Sequence, residues 1–310
     1  MIVTLTPNTT VDYNVFIPSF KNFSTMRASF AKQSTGGKPT DCSMILGEMG
    51  IPSLALGFAG GETGKLVESL LQSKGVTVDF LWLDQDTRRN LVIVAEDGQA
   101  DFTITTTSME ISPEQIAALR ERYIVALDEA TCVVMGGTLP HGMEPEFYTD
   151  AIALARSRDI PVIFDASEPF LSGGLVSRPS YAKPNRDELA TLIGKPVRTI
   201  KDAYHAGRDI IAKYGTCPVI SLGAEGGLAV LPETAYRIPP IDVEVVSAAG
   251  AGDGVLAGLA ASVFNGQPIE EGLRLAFACA TAVLLQPGTA ECTREDIERF
   301  RQQVELIPYP

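Results

Sequence analysis

Residues 247–254 read Ser-Ala-Ala-Gly-Ala-Gly-Asp-Gly, and an apolar run typical of a buried helix follows them over residues 255–264. Glycine lets the backbone turn sharply and approach a ligand closely. The free N–H groups at a helix start attract an anion, because the helix dipole is positive there. Asp253 would lie in this first turn, where a carboxylate accepts the proton of an attacking hydroxyl. Two interpretations stay open: an anion site with its own base, suited to phosphoryl transfer, or a turn whose acid only complements the dipole.

Outward from this stretch, strand-like and helix-like runs alternate along most of the chain. The pattern predicts strands at 2–5, 53–58, 77–83, 132–135, 162–165 and 219–222, and helices at 40–49, 62–74, 113–127, 145–158, 199–214 and over most of 250–305. Such alternation predicts a mostly parallel sheet with helices on both faces. In such sheets ligands bind beyond the carboxyl ends of the strands.

Other segments do not follow this rhythm. Residues 11–17 alternate between apolar and polar side chains, residues 27–31 do so more weakly, and 34–39 has the composition of a turn. Residues 90–95 and 101–105 are predicted to form a hairpin around Asp97-Gly98. We therefore expect a small separate β-sheet, formed by about 11–35 and 88–106, that acts as a lid on a single domain spanning residues 1–310.

Charge and cysteine content limit the class of partner. The 310 residues carry a net charge of −13, which argues against a nucleic acid or an anionic membrane as partner. The five cysteines are scattered without a Cys-x-x-Cys pair, which favours reduced thiols and a cytoplasmic location. Neither a signal peptide nor a membrane-spanning run is expected. An anionic substrate would therefore need a local cluster of cations.

Lys183-Pro184-Asn185-Arg186-Asp187-Glu188 lies between a predicted strand and a helix. Asn185 and Glu188 are three residues apart and share one face of that helix. They form either a capping box, with Asn185 as the N-cap, or a pair that organises water around Mg²⁺ near ATP phosphates.

Polar residues near the lid carry similar alternatives. Arg88 and Asn90 would point to the same side of a strand, which suits a phosphate monoester; the alternative is a solvated basic turn. Gly37 and Lys38 precede a helix and would bring an amide and an ammonium to a phosphate or a sugar, or else form a flexible turn. Asp12 would bind sugar hydroxyls or face solvent.

Taken together, these segments resemble the PfkB/ribokinase family of sugar kinases nearly end to end, most of all its 1-phosphofructokinase and tagatose-6-phosphate kinase branch. The resemblance implies a ribokinase-like three-layer αβα fold with a small β-sheet lid, and the use of ATP and Mg²⁺. It implies that Asp253 is the base and that Gly250, Ala251 and Gly252 form the anion hole. By the same resemblance, the substrate contacts Asp12, Arg27, Gly37, Lys38, Asp41, Arg88, Asn90 and Thr138; the nucleotide contacts Lys183, Asn185, Ser221, Gly223, Glu225 and Gly226; and Asn185 and Glu188 serve the metal.

The chain departs from the family pattern where the sugar is expected to bind. The pattern Gly-Gly-Lys-Gly-x-Asn is here Gly-Gly-Lys-Pro-Thr-Asp, at residues 36–41. Pro39 removes a backbone donor, and Asp41 replaces a donating amide with a carboxylate that only accepts. Both changes bear on which sugar is used.

We therefore expect ATP-dependent phosphorylation of a sugar phosphate, of the fructose 1-phosphate, fructose 6-phosphate or tagatose 6-phosphate type, to a sugar bisphosphate. Pro39 and Asp41 motivate an alternative, a kinase of an unphosphorylated sugar, nucleoside or related alcohol. A third hypothesis is a ligand sensor on a retired kinase fold, which the presence of Asp253, Asn185 and Glu188 opposes. The exposed face of the lid, and the pairing habit of related kinases, favour a homodimer through the lid sheet.

Overall fold

A large sheet with helices on both faces forms the body of the protein, which a computed structural model describes for residues 1–21, 24–98 and 101–310. In chain order the strands are β1 (Ile2–Asn8), β2 (Thr10–Ile17), β3 (Phe30–Gly36), β4 (Ser53–Gly60), β5 (Thr77–Leu83), β6 (Arg88–Ala95), β7 (Asp101–Ile104), β8 (Cys132–Gly136), β9 (Val162–Asp165), β10 (Tyr181–Ala182), β11 (Cys217–Ser221), β12 (Gly227–Val230), β13 (Ala235–Ile238) and β14 (Ile307–Pro308). The helices are α1 (Lys38–Glu48), α2 (Gly61–Ser73), α3 (Pro113–Ala126), α4 (Glu146–Arg156), α5 (Phe170–Leu175), α6 (Arg186–Ile193), α7 (Ile200–Tyr214), α8 (Ala251–Phe264), α9 (Ile269–Leu284) and α10 (Arg294–Arg301).

The central sheet has the strand order β14-β13-β12-β11-β10-β9-β8-β1-β4-β5. Strands from β11 to β5 pair in parallel, whereas β12, β13 and β14 add an antiparallel edge. Successive side chains of a strand point to opposite faces, so Val3 packs with α3 and α4, while its neighbour Ile2 packs with α1 and α8. Both layers of helices therefore rest on the same buried strands.

A separate four-stranded sheet, here the lid sheet, has the order β3-β2-β6-β7. Asp12 is in register with Ser34 and Asn90, and the next residue, Tyr13, is in register with Gln33 and Leu91. Because side chains alternate along a strand, the row through Asp12 lies on one face of the lid sheet and the row through Tyr13 on the other.

The predicted fold class is confirmed, and so are the strands at 77–83 and 162–165. The predicted break after residue 5 is wrong, because β1 continues to Asn8 with a register shift between Thr6 and Asn8 that accommodates Pro7. The predicted turn at 34–39 is also wrong. The strand β3 starts only at Phe30 and runs to Gly36, and α1 then begins at Lys38.

Pro39 does not prevent this early start of α1, because the first N–H groups of a helix have no intrahelical acceptor. Strands β13 and β14 of the antiparallel edge were not anticipated. Among the helices of the described residues, none combines the length and the apolar character needed to cross a membrane.

Candidate active site

The helix α8 begins directly after Gly250, whose φ of +84° lies in the left-handed region. A Cβ at Gly250 would lie 2.3 Å from the backbone N of Ala290, so only glycine fits here. Within the described part of the chain, the N–H groups of Gly250 and Gly252 have no acceptor, whereas the N–H of Ala251 lies 3.3 Å from the carbonyl oxygen of Ala248. The free donors of the expected anion hole are therefore Gly250 and Gly252 rather than Ala251.

Asp253 lies in the first turn of α8 and is 8% exposed. Burial raises the pKa of Asp253 to about 7; the negative charges of Asp165 and Asp12 act in the same direction, while Lys38 and Lys183 oppose them. A carboxylate that titrates near neutral pH combines a useful ionised fraction with a strong affinity for a proton. Asp253 therefore has the properties of a general base.

Two lysines share one buried carboxylate beside this helix start. Nζ of Lys38 lies 2.5 Å from Oδ1 of Asp165, and Nζ of Lys183 lies 2.9 Å from Oδ2. Burial by itself raises the pKa of Asp165, but the two ammonium groups outweigh it and hold this pKa below its ordinary value. A Cβ on Gly252 would lie only 3.2 Å from Nζ of Lys183. Positive charge and free amides thus converge on one point.

A cleft of about 270 Å³ lies between the lid sheet and the carboxyl ends of the central strands. Its walls include the predicted substrate residues Asp12, Gly37, Lys38, Asp41, Arg88 and Thr138, together with Gly250 and Asp253. Residues from the lid sheet, from α1 and from α8 therefore meet in one cavity, although they are distant in sequence.

Asp12 is aimed into the cleft by a set of buried polar contacts. Its Oδ1 accepts a hydrogen bond from Nδ2 of Asn90 at 2.9 Å, and its Oδ2 accepts one from the hydroxyl of Thr289 at 3.1 Å. Burial raises the pKa of Asp12, and these two hydrogen bonds and the charge of Arg88 partly offset that effect. A Cβ on Gly36 would lie 2.4 Å from Oδ1, so a glycine there makes room for the carboxylate.

Arg88 lines the same cleft, and its Nε is buried without a hydrogen-bond acceptor among the described residues. Burial lowers the pKa of Arg88, and the charge of Asp12 acts against that shift. An unpaired buried donor is costly, and a bound anion would provide its acceptor. Arg27, also expected at the substrate phosphate, is exposed and does not contribute to the walls of the cleft.

Asp41 is only 2% exposed, and its Oδ1 accepts a hydrogen bond from the hydroxyl of Thr35 at 2.8 Å. Burial raises the pKa of Asp41 well above its ordinary value, and the nearby charges of Asp253 and Asp12 raise it further. These surroundings therefore favour the protonated form of Asp41, and a protonated carboxyl has an O–H that donates. This differs from the sequence-based expectation of a group that only accepts; the tertiary surroundings return the donor that the change from Asn removes.

The residues expected around the nucleotide also lie together. Asn185 and Glu188 form the capping box of α6, in which Oδ1 of Asn185 accepts from the N–H of Glu188 at 2.8 Å and Oε2 of Glu188 accepts from the N–H of Asn185 at 2.9 Å. The other carboxylate oxygen of Glu188 lies 3.3 Å from Nζ of Lys38. Ser221 donates its N–H to the carbonyl of Pro184, which places the two predicted loops side by side.

At the end of that second loop, Glu225 forms an ion pair with Arg186 at 2.5 Å, which ties the loop to α6. Gly223 and Gly226 both have positive φ, at +62° and +82°. In the described residues, no group of three or more His, Cys, Asp or Glu side chains is placed to hold a metal ion.

Sequence reasoning missed three residues of the site. Asn8 lines the cleft, and its Oδ1 is buried without a hydrogen-bond partner in the described structure. Asp165 ends a buried parallel strand, a position typical of ligand sites that could have drawn attention to it. Thr289 carries no local signal, because its contacts are with Asp12, Asn14 and Ser34, which are all distant in sequence.

A carboxyl group with a pKa of about 7, free helix-start amides and two lysines at the carboxyl ends of a parallel sheet are groups that suit phosphoryl transfer. The chain belongs to the pfkB family of carbohydrate kinases, because the sequence model of that family matches residues 9–296. This confirms the resemblance noted in the sequence and the expectation that the protein is a sugar kinase.

The similarity to individual proteins extends over the whole chain. The chain is 32% identical over 307 residues to a 1-phosphofructokinase of Haloferax volcanii, covering 99% of this chain and 98% of that protein. It is 28% identical over 310 residues to a tagatose-6-phosphate kinase of Staphylococcus epidermidis, covering 99% of each. The crystal structure of phosphofructokinase-2 from Escherichia coli with substrates and products superposes with a TM-score of 0.89 at 25% identity, over 97% of this chain and 98% of that one.

Proposed function

We propose that the protein transfers the γ-phosphoryl group of ATP to a hydroxyl of a sugar phosphate and so makes a sugar bisphosphate. The observation that carries this proposal is one cleft that holds both a buried base, Asp253, and a cation with an unpartnered donor, Arg88. Relatives named 1-phosphofructokinase and tagatose-6-phosphate kinase support a substrate of the fructose 1-phosphate, fructose 6-phosphate or tagatose 6-phosphate type.

In the reaction, ionised Asp253 accepts the proton of the sugar hydroxyl while the hydroxyl oxygen bonds to the γ-phosphorus. The bond between that phosphorus and the β–γ bridging oxygen breaks, and ADP leaves with the electron pair. The N–H groups of Gly250 and Gly252, with Nζ of Lys183 close to Gly252, hold the negative charge of the transferring group. Such preorganised donors usually supply the largest share of catalysis.

The opposite wall of the cleft would hold the substrate. Arg88 would bind the phosphate that the sugar already carries, because a guanidinium matches a phosphate in both charge and geometry. Asp12 would accept from sugar hydroxyls, and Asp41 and Thr138 would contribute further polar contacts. Lys38 forms ion pairs with Asp165 and Glu188, so its positive charge would act on the transferring phosphoryl group rather than on the phosphate of the sugar. Roles for Gly37, Asn90 and Arg27 at the substrate stay predictions.

The residues on the nucleotide side fit ATP, since two free amides and the buried ammonium of Lys183 offer donors to phosphate oxygens. Mg²⁺ supplies charge neutralisation between the phosphates when it is bound. The carboxylate of Glu188 and the amide of Asn185 already engage each other in the capping box. They would therefore meet the metal through water, which suits an ion that keeps much of its hydration shell. Ser221, Gly223, Glu225 and Gly226 would shape the nucleotide pocket.

Self-association through the lid sheet forms a further part of the proposal. The face of the lid sheet turned away from Asp12 carries a row of residues in register, and two of them, Tyr13 and Ile104, are 40% and 48% exposed. A concavity of about 580 Å³ lies on that face beside Tyr13 and Leu91. Light scattering of the wild type and of Ile104→Glu would test the homodimer, which the variant should weaken. A monomeric wild type would refute it.

All five cysteines are free thiols, which supports the proposed cytoplasmic location, where thiols stay reduced.

A substrate panel tests the reaction. ADP formation from ATP would be measured with fructose 1-phosphate, fructose 6-phosphate and tagatose 6-phosphate, each beside the same sugar without its phosphate. The proposal expects kcat/KM for the best phosphorylated sugar to exceed that of its unphosphorylated counterpart by about tenfold to a hundredfold, the value of a lost charge-assisted contact. A preference for unphosphorylated sugars or nucleosides would establish the alternative function. Absence of turnover with every compound would leave the sensor hypothesis.

A further inference from the structure

The segment that follows α9 joins the lid sheet to the start of α8. Thr289, in this segment, is 5% exposed and lies in the interior between them. Its hydroxyl shares its proton between Oδ2 of Asp12 at 3.1 Å and Oδ1 of Asn14, on the same strand, at 3.3 Å. Its backbone N–H donates to the hydroxyl of Ser34 at 3.1 Å. Thr289 therefore holds two neighbouring strands of the lid sheet, although it is 277 residues from Asp12 in sequence.

The next residue contacts the other side of the site. The N–H of Ala290 donates to the carbonyl oxygen of Ala249 at 3.3 Å, one residue before the glycine that opens α8. Ala290 has a φ of +54°, a conformation that a residue with a Cβ seldom adopts. Its backbone also fills the space that a side chain at Gly250 would need.

A second contact between this segment and the lid sheet is the ion pair of Glu291 with Lys32, at 2.6 Å. Three consecutive residues thus connect the strand that carries Asp12 with the turn that carries the anion hole.

We propose that Thr289 is a positioning residue that holds the carboxylate of Asp12 in the orientation that receives the sugar, at a fixed distance from the helix start that receives the phosphoryl group. This inference rests on the proposed function, in which Asp12 binds sugar hydroxyls. A hydroxyl that donates to a carboxylate leaves the remaining lone pairs free for the substrate, and it fixes the plane of the carboxylate.

Thr289→Val removes the hydroxyl while it keeps the shape of the side chain. We expect the KM for the sugar phosphate to rise about tenfold, and kcat and the KM for ATP to change less than about threefold, because the contact concerns sugar binding. Thr289→Ser restores a hydroxyl and should recover most of the loss. A side chain with a merely structural role would lower stability without this selective rise in one KM.

The pH profile offers a second readout. The groups that face Asp12 are Arg88 of the lid sheet, Asp41 of α1 and Asp253 of α8. The hydrogen bond from Thr289 favours the ionised form of Asp12, so its loss raises the pKa of Asp12. On the acid side, the KM for the sugar phosphate should therefore begin to rise at a higher pH in Thr289→Val and return in Thr289→Ser, whereas the acid limb of kcat, which Asp253 sets, should stay in place.

Thr293→Val is the matched control. Thr293 lies four residues further along, and its hydroxyl caps α10 by accepting from the N–H of Asp296 at 3.1 Å, without any contact to Asp12. This variant should lose thermal stability and keep the wild-type KM for the sugar phosphate.

Crystal structures of the wild type and of Thr289→Val test the positioning directly and do not depend on turnover. The carboxylate of Asp12 should turn in the variant. An unmoved carboxylate together with a wild-type KM would overturn the inference while leaving the proposed function intact. Wild-type protein that phosphorylates no sugar phosphate would instead refute the proposed function, and the orientation of Asp12 would still be decided by the two structures.

Discussion

Gly252 lies so close to Lys183 that a Cβ added to the glycine would be 3.2 Å from the ammonium nitrogen. The ammonium is itself held by Asp165 at 2.9 Å, and its side chain is 5% exposed. A cation that is buried and paired cannot swing away, so it provides a fixed positive charge beside the free N–H of Gly252. This fixed geometry is what charge stabilisation in a transition state requires.

Lys183→Met should therefore lower kcat about a hundredfold or more, because one preorganised donor is lost. The variant also leaves Asp165 with only Lys38 as a partner, so its stability should fall. Steady-state kinetics and thermal melts would measure both effects. Lys195→Met, at an exposed position after α6, is the control and should match the wild type. Turnover of Lys183→Met within twofold of the wild type would contradict the assignment.

Asp253→Asn should lower kcat about a thousandfold, within the range that general bases contribute, while ATP still binds. In the wild type, activity should fall as the pH drops below about 7, the pKa to which burial raises this carboxyl, because the protonated form cannot accept a proton. Rate measurements from pH 5 to 9 and titration with an ATP analogue would check both points. A variant that keeps wild-type turnover would rule Asp253 out as the base.

The same substitution should stabilise the fold at high pH. The pKa of Asp253 is raised in the folded state, so the native protein binds this proton more tightly than the unfolded chain, and stability falls as the pH rises from about 4 to about 7. Asparagine does not titrate, so the variant avoids this loss of stability, which is at most about 4 kcal/mol for a pKa raised from 3.8 to about 7. Melting temperatures should favour Asp253→Asn at pH 8 and converge with the wild type near pH 4. A melting temperature of Asp253→Asn below that of the wild type at pH 8 would contradict a pKa raised by burial.

Arg88→Met should raise the KM for a sugar phosphate about tenfold to a hundredfold and affect an unphosphorylated sugar little, because the lost contact is to phosphate. Arg89→Met is a closely matched control. The neighbouring arginine points to the other face of the lid sheet, where its Nε donates to the hydroxyl of Thr63 at 2.8 Å. An equal rise in KM for the phosphorylated and the unphosphorylated sugar would show that Arg88 does not bind the phosphate of the substrate.

Asp41→Asn should leave the KM for the sugar near pH 7 within about threefold of the wild-type value, because burial favours the protonated carboxyl, which donates as an amide does. The two proteins should differ more as the pH rises. Wild-type activity should fall as this carboxyl ionises, and the asparagine variant should lack that loss. A strong loss of activity at pH 7 in Asp41→Asn would show that an ionised Asp41 is needed.

The glycine-rich stretch shows how far sequence reasoning reached. A glycine followed by an apolar run of helical length indicates a helix start from neighbouring residues alone. The start of α8 and the place of Asp253 in its first turn were therefore predictable. The capping box of Asn185 and Glu188 is local as well, and it was one of the two alternatives considered for these residues. The end of β1 and the start of α1 were misplaced because Pro7 and Pro39 indicate breaks, whereas a register shift and a helix start accommodate them.

The sequence by itself determined the alternation of strands and helices, the glycine turn before Asp253 and the membership of a kinase family, because each depends on residues close together in the chain or on a shared pattern. Only the tertiary structure decided the partners of the site residues and the directions of their pKa shifts. The raised pKa values of Asp253 and Asp41, the two ion pairs of Asp165 with lysines and the hydrogen bond between Thr289 and Asp12 all arise from residues far apart in sequence. Burial and electrostatic interaction depend on distance in space, and folding alone sets those distances.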